Sequence, residues 1–206
     1  MSHGVVPDRL AEGARAGIGP LARALAGIGI SANAVTVAGG VLTVAGAGLL
    51  AAGFPLPALL VLLVGTLADT LDGQLAKASG GGTRLGAFLD STVDRIADGA
   101  LFVGAAASGA SLGQPLLLWS SLVALVASSL VPYVRAKAES LGVGASVGPA
   151  PREARIVIFL LGLAAWAVFD AQALFVAAVL ALALLSSITF VLRVVHVGRQ
   201  LSIKER

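Results

Sequence analysis

Long apolar runs are the feature of this sequence that most restricts its fold. A helix needs about 20 mostly apolar residues to cross the hydrocarbon layer of a bilayer. Six runs of this kind lie near residues 33–53, 56–76, 86–107, 115–136, 155–169 and 172–192. Only 12% of the 206 residues are charged, which is too few to cover the surface of a soluble domain of this length. The chain is therefore predicted to be an integral membrane protein.

The runs are predicted to be helices. Backbone groups inside a bilayer must be hydrogen-bonded within the protein, and the alternating pattern of membrane strands is missing from the sequence. The fifth run is short, and Asp170 and Gln172 form a polar turn into the sixth. The predicted fold is all-α, with six transmembrane helices of which the last two form a hairpin.

Positive charge is confined to one side of this arrangement. The 14 Lys and Arg residues lie before the first run, in or around the second and fourth connections, and in the tail. The other three connections, GFPLP, SGASLGQP and FDAQ, contain none. Because positively charged loops stay in the cytoplasm, both termini and the aspartate-rich segment around the second connection are predicted to be cytoplasmic, in a multi-pass protein of the cell (inner) membrane.

The segment before the first run has the pattern of an amphipathic helix. Within residues 1–30, apolar side chains share one helical face and charged side chains lie opposite, as in helices that rest on the membrane surface. A loosely ordered basic arm is the alternative. A membrane domain is predicted over 31–198, starting at a helix cap formed by Ser31 or Asn33, with a basic cytoplasmic tail over 199–206.

Four aspartates interrupt the second and third runs. Asp69 and Asp72 are three residues apart, and Asp90 and Asp94 are four apart, so each pair shares a helix face. The connection between them is short, which makes the two helices antiparallel neighbours and lets the pairs converge. Each acid costs about 2.5 to 3.5 kcal/mol in a membrane helix, so a cation is needed. Oxygen ligands, in a chain without cysteine, favour Mg²⁺ or Mn²⁺ in a two-metal centre.

Glycines and phosphate-binding donors surround these acids. Gly73 and Gly86 lack a Cβ and allow a ligand to approach the backbone, as do the glycines at 80–82. Lys77 and Thr83 supply donors for phosphate oxygens. This combination indicates a bound pyrophosphate. A proton or ion pathway in an aspartate-based ion transporter is the alternative from a different functional class.

The same stretch resembles the signature of the CDP-alcohol phosphotransferase family. The matching residues are Asp69-x-x-Asp72-Gly73-x-x-Ala76-Lys77, then eight residues, then Gly86-x-x-x-Asp90-x-x-x-Asp94. One position departs from the family pattern, since Lys77 stands where the family usually has Arg. The planar guanidinium of Arg can bind phosphate through two hydrogen bonds, whereas the ammonium group of Lys acts as a point charge. The six-span topology is also similar to that of the family, so the resemblance covers most of the chain.

The resemblance implies a role for each matching residue. Asp69, Asp72 and Asp90 would hold two divalent ions, Mg²⁺ with Mn²⁺ as the alternative, that bridge the CDP diphosphate. Asp94 would touch the second metal and act as general base on the acceptor hydroxyl, with CMP as the leaving group. Contacts to CDP-diacylglycerol are expected from Asn33, Ala34, Val35, Thr36, Gly73, Lys77 and Thr83.

The acceptor site is predicted among cations elsewhere in the chain. The candidates for binding an acceptor phosphate are Arg135, Lys137, Arg152, Arg155 and Arg193. So basic a cluster favours a phosphorylated acceptor, although positive-inside topology alone would also place cations at this face. The runs around these residues resemble the phosphatidylinositol phosphate synthases of actinobacteria, which implies inositol 1-phosphate as acceptor. Phosphatidylglycerophosphate synthase, with glycerol 3-phosphate as acceptor, is the alternative within the family.

Asp98 lies one helical turn beyond Asp94 and is expected to pair with Arg95 or Arg84 rather than to bind metal. The resemblance also implies a homodimer, because family members commonly pair. The other predicted partners are CDP-diacylglycerol, a phosphorylated polyol and membrane lipid, with no nucleic acid.

Overall fold

A computed structural model describes residues 19–204 of the chain. The predicted amphipathic helix of residues 1–30 falls outside the described residues up to position 18, as do residues 205–206 of the predicted tail. Residues 19–27 are helical. Throughout 19–204 the regular structure is α-helix without any β-strand, so the all-α prediction is confirmed.

Six long helices follow residues 19–27, one for each predicted run. They are α1 (Ala32–Ala51), α2 (Pro55–Ala78), α3 (Arg84–Ser111), α4 (Pro115–Ser140), α5 (Arg152–Phe169) and α6 (Gln172–Lys204). The side chain of Ser31 caps α1, because its hydroxyl accepts a hydrogen bond from the Ala34 amide at 3.2 Å. Between α5 and α6, Asp170 adopts a left-handed conformation with φ of 54°, which confirms the predicted polar turn.

Four of these helices are long and apolar enough to cross a membrane. They are α1, α2, α4 and α6. Helix α3 carries several acids, and α5 begins with three charged residues, Arg152, Glu153 and Arg155. Some of these charges offset one another, since Asp98 of α3 forms ion pairs with both arginines of α5.

The described chain divides into two compact units. The first contains α1 up to Gly46 together with Leu60–Ala97. Here α1 and α2 approach closely through small residues. A Cβ at Gly39 would lie 3.0 Å from the Cβ of Ala68 and 3.3 Å from the carbonyl oxygen of Gly65. Such contacts are typical of membrane helices that pack through glycine, and they fix α1 against the half of α2 that carries the aspartates.

The second unit contains Ala47–Leu59 and the chain from Asp98 onward. Helix α6 packs against both α4 and α5. Aromatic side chains form its buried centre, where the ring of Phe159 lies 6.0 Å from that of Phe102 and 5.3 Å from that of Phe175, both edge to face. Trp166 stacks on Phe175 at 5.6 Å. This cluster joins α3, α5 and α6 and thereby fixes the start of α5, where two predicted acceptor residues lie.

Candidate functional site

Three of the four predicted metal ligands converge in the first unit. Carboxylate oxygens of Asp69 on α2 and of Asp90 and Asp94 on α3 all lie within 4.8 Å of one another. Asp90 is exposed, whereas the other two are partly buried. The turn between the helices is tight because Gly80 and Gly81 adopt φ values of 97° and 113°, which L-residues with side chains rarely take.

This cluster fits a divalent metal ion. Three carboxylates at this separation repel one another unless a cation lies between them, and an all-oxygen donor set suits Mg²⁺ or Mn²⁺. Arg95 neutralises part of the charge, since its guanidinium lies 3.6 Å from an oxygen of Asp94. That contact is a partly exposed ion pair, of a kind that contributes little to stability.

Asp72 takes a different position from the other three acids. Its buried carboxylate accepts a hydrogen bond of 2.6 Å from the hydroxyl of Thr36 on α1. The same hydroxyl lies 3.0 Å from the carbonyl oxygen of Ala32, but the shorter contact to a charged acceptor is the stronger one. The structure therefore joins Asp72 to α1 and does not bring it into the three-carboxylate group.

A cavity of about 600 Å³ adjoins these acids in the first unit. Its wall includes Asp72 and Asp90 together with four of the predicted nucleotide contacts, which are Asn33, Thr36, Gly73 and Thr83. Among the described residues, the wall does not include the other three predicted contacts, Ala34, Val35 and Lys77. The helical repeat explains the two on α1, because residues 33 and 36 share a face from which 34 and 35 turn away. Lys77 is exposed.

Further wall residues were not among the predicted nucleotide contacts, and they include residues 29–32 and Gly86. Residues 29–32 line the cavity where the chain enters α1, and Gly29 has a φ of 80°. Gly86 lies beside the side chains of Asn33 and Thr83, where a Cβ would be 3.0 and 3.1 Å from their oxygens. The signal for Gly86 was its place in the Gly-x-x-x-Asp spacing, whereas Gly29 lies outside that motif.

The predicted acceptor residues lie in the second unit with distinct partners. Arg135 pairs with Glu139 at 2.9 Å in an exposed contact, and Lys137 is exposed on the same helix. Arg193 donates from Nε to the carbonyl oxygen of Val147 and from Nη1 to that of Val131, both at 3.0 Å. Arg193 therefore joins α6 to α4 and to the α4–α5 connection.

Asp98 does not pair as expected. Its Oδ1 accepts a hydrogen bond from Nε of Arg152 at 3.1 Å, and its Oδ2 accepts one from Nη2 of Arg155 at 3.0 Å. The expectation of a partner at Arg95 or Arg84 is wrong. Arg84 is 14 residues away on α3, about 21 Å along the helix axis, and Arg95 lies against Asp94 instead.

The connection between α4 and α5 runs antiparallel along the end of α6. Four hydrogen bonds tie it down in order: Lys204 Nζ to Gly142 O at 2.7 Å, Gln200 Nε2 to Gly144 O at 3.2 Å, Arg193 Nε to Val147 O at 3.0 Å, and Ala150 N to Thr189 Oγ1 at 3.2 Å. Buried Ala138, Val143 and Ala145 pack against Val197 and Leu201 beneath these bonds. We call residues 141–151 the strap. The strap ends directly before Arg152, the first residue of α5.

Replacing Gly148 with alanine is expected to destabilise the strap. Gly148 has a φ of 117°, and an added Cβ would collide with the side chain of Thr189. We expect the substitution to destabilise the folded protein by about 1 to 3 kcal/mol, and faster thermal inactivation in detergent is the readout. Gly144→Ala is the matched control, since a Cβ there meets nothing within 4 Å. Equal inactivation rates in the two variants would refute this role for Gly148.

Comparison with known proteins places the chain in a family. Residues 29–195 match the family model described as CDP-alcohol phosphatidyltransferase. The phosphatidylinositol phosphate synthase of Mycolicibacterium smegmatis is 39% identical over 150 residues, which are 69% of this chain and 65% of that protein. The alignment thus spans just under two thirds of that relative. The archaetidylinositol phosphate synthase of Pyrococcus horikoshii is 33% identical over 183 residues, 88% of this chain and 90% of that protein.

Solved structures of a third relative have the same fold. The crystal structure of the Mycobacterium tuberculosis phosphatidylinositol phosphate synthase in complex with manganese and citrate gives a TM-score of 0.82 at 35% identity, covering 88% of each chain. The structure with CDP-DAG bound gives 0.78 at 35% identity, covering 87% of this chain and 92% of that one. The matched residues 29–195 include the positions of all four predicted metal ligands and all five predicted acceptor cations. The chain belongs to the CDP-alcohol phosphatidyltransferase family.

Proposed function

We propose that this protein transfers the phosphatidyl group of CDP-diacylglycerol to inositol 1-phosphate, producing phosphatidylinositol phosphate and CMP. The observation that carries the proposal is the group of three carboxylates within 4.8 Å, beside a cavity of about 600 Å³, inside the family-matched residues. The relatives from M. smegmatis and M. tuberculosis are named phosphatidylinositol phosphate synthases, and a structure of the M. tuberculosis protein contains CDP-DAG. An ion transporter would leave the family match without explanation.

The cavity wall and the aspartates would bind different parts of the donor complex. Asn33, Thr36, Gly73 and Thr83 would contact the cytidine diphosphate, and the cavity volume is within the range of small-molecule sites. Asp69, Asp90 and Asp94 would hold the divalent metal, with Asp72 as the fourth ligand of a two-ion centre. When bound, the metal offsets the diphosphate charge and stabilises the charge that builds on the phosphoryl oxygens. Manganese in the M. tuberculosis complex supports a divalent ion.

Asp94 would act as the general base. Its carboxylate accepts the proton from a hydroxyl of the acceptor as that oxygen bonds to the phosphorus on the lipid side of the diphosphate. The bond from this phosphorus to the bridging oxygen breaks, and CMP leaves with the electron pair. The acceptor phosphate would be held by Arg152, Arg155 and Arg193, with Arg135 and Lys137 as further cations.

The membrane arrangement is part of the same proposal. All six helices α1 to α6 would cross the bilayer of the cell membrane, with both termini and the aspartates on the cytoplasmic side. The positive-inside charge distribution supports this orientation. Residues 1–30 would rest on the inner surface, followed by the membrane domain of 31–198 and the basic tail. A homodimer is proposed from the resemblance to the family.

A parallel assay tests the acceptor assignment. Purified protein is supplied with CDP-diacylglycerol, Mg²⁺ and one of three acceptors: inositol 1-phosphate, glycerol 3-phosphate or unphosphorylated inositol. We expect CMP release with inositol 1-phosphate and little with the other two. Preference for glycerol 3-phosphate would instead establish the phosphatidylglycerophosphate synthase alternative, and CMP release with none of them would refute the enzyme proposal.

Replacing Thr36 with valine is expected to weaken donor binding. The variant keeps the side-chain shape but removes the hydroxyl that donates a hydrogen bond of 2.6 Å to Asp72. A hydrogen bond to a buried charged group contributes about 1.5 to 3 kcal/mol, so we expect the KM for CDP-diacylglycerol to rise about tenfold or more. The KM for the acceptor should change little.

Thr43→Val is the matched control for this variant. Thr43 also lies on α1 and bonds the carbonyl oxygen four residues earlier, at 3.0 Å, as Thr36 does. Asp72 is the partner that distinguishes Thr36. A similar donor KM in both variants would remove Thr36 from the donor site.

A further inference from the structure

Asp98 is a buried carboxylate shared between two arginines. It is 8% exposed, and Arg155 is 5% exposed. Each carboxylate oxygen accepts a hydrogen bond from a different guanidinium: Arg152 donates to Oδ1, and Arg155 donates to Oδ2. Charge-assisted hydrogen bonds of about 3 Å are directional, so one acid on α3 helps to fix where two cations on α5 point.

The two arginines occupy an unfavourable place for positive charge. They lie in the first turn of α5, on one helix face because they are three residues apart. Cations are disfavoured at a helix N-terminus, where the helix dipole is positive, and like charges three residues apart also repel. Asp98 offsets both effects. Without its carboxylate, each guanidinium would lose one charge-assisted hydrogen bond and gain freedom to move.

Other contacts fix the backbone that carries these arginines. The Ala150 amide donates to Thr189, and Arg193 bonds the carbonyl oxygen of Val147, so the strap is anchored up to the residue before Pro151. Phe159, two turns further on α5, is buried between Phe102 and Phe175. With the backbone fixed on both sides, the hydrogen bonds to Asp98 restrict the remaining freedom of the two side chains.

We propose that Asp98 is a positioning residue for the acceptor phosphate, and that it orients the guanidiniums of Arg152 and Arg155 to bind this anion. The proposal rests on the proposed function, in which these arginines bind a phosphorylated acceptor. Asp98 follows Asp94 by four residues on α3. One helix therefore carries both the proposed general base and the residue that orients the acceptor-binding cations.

Asp98→Asn tests this role, because asparagine has the same shape without the charge. We expect the KM for inositol 1-phosphate to rise about 30-fold, as when one partner of a buried charge pair is removed. The expected kcat stays within about threefold of wild type, since Asp98 touches no reacting atom. The KM for CDP-diacylglycerol should not change. Asp170→Asn is the matched control, because Asp170 is exposed and its left-handed conformation suits asparagine.

A second readout separates positioning from a general loss of stability. Inorganic phosphate should inhibit wild type in competition with the acceptor, and its inhibition constant should rise in Asp98→Asn by the same factor as the acceptor KM. The inhibition constant of unphosphorylated inositol should stay unchanged. A variant that is merely less stable would lose active protein, but the acceptor KM and the inhibition constant of phosphate for the remaining active protein would not change.

Asp98→Glu keeps the test decisive if the asparagine variant does not fold. Glutamate retains the charge and moves it outward by one methylene, so we expect a folded protein whose acceptor KM is higher than that of wild type while its KM for CDP-diacylglycerol is unchanged. An unchanged acceptor KM in whichever of the two variants folds, or equal changes in both substrate KM values, would overturn the proposal. Lack of CMP release by wild type with any phosphorylated acceptor is a separate result, which would refute the proposed function instead.

Discussion

Replacing Asp94 with asparagine is expected to lower kcat by about 10²- to 10⁴-fold, the usual contribution of a general base. The amide cannot accept the proton of the acceptor hydroxyl. Binding of CDP-diacylglycerol should persist in part, because Asp69 and Asp90 remain within the same carboxylate group and the cavity wall formed by α1 is unaltered.

Two measurements on the same preparation check this expectation. Single-turnover CMP release reports the chemical step, and equilibrium binding of radiolabelled CDP-diacylglycerol reports the donor site. Asp170→Asn, at the exposed turn after α5, serves as the control for an Asp-to-Asn change. Full turnover by Asp94→Asn would remove Asp94 from the role of base.

Removal of divalent metal is the second change with a large expected effect. After dialysis against EDTA, we expect turnover to fall by about 10³-fold or more, because a Lewis-acidic ion contributes several kcal/mol to charge stabilisation. Addition of Mg²⁺ or Mn²⁺ should restore it. The physical reason lies in the three carboxylates within 4.8 Å, which in the absence of a cation repel both one another and the substrate diphosphate.

Ligand variants connect this metal requirement to the aspartates. Asp69→Asn and Asp90→Asn should each raise the Mg²⁺ concentration needed for half-maximal turnover. Dialysis against EDTA already saturated with Mg²⁺ is the control for effects of the chelator itself. Undiminished turnover after chelation, with metal content verified, would contradict the assignment of these acids as metal ligands.

Much of the helical architecture could be predicted because apolar runs and helices coincide in a membrane protein. The end of α6 is the largest difference, since the apolar run stops near residue 192 whereas the helix continues to Lys204. Charged residues end an apolar run but do not end a helix. Contacts of Gln200 and Lys204 with the strap stabilise this extension, and such contacts leave no local signal in the sequence.

In the candidate site too, contacts between residues near in sequence could be predicted, whereas contacts between residues far apart in sequence could not. Three aspartates converge as predicted because i, i+4 spacing and a short connection determine their placement. The hydrogen bond from Thr36 to Asp72 joins residues 36 apart in sequence, and the ion pairs of Asp98 join residues 54 and 57 apart. Helical periodicity shows which residues share a face, but it does not show which helices are neighbours. The prediction for Asp98 was wrong because it considered residues near in sequence.

In the proposed reaction, the protein joins a phosphatidyl group to a hydroxyl of an already phosphorylated acceptor. The most direct measurement supplies CDP-diacylglycerol, Mg²⁺ and inositol 1-phosphate whose phosphorus is radioactive, and then separates lipid from water-soluble products. We expect radioactivity in the lipid fraction, in an amount equal to the CMP released. CMP release with all radioactivity left in the water-soluble fraction would contradict the claim, because the phosphatidyl group would then have passed to another acceptor or to water.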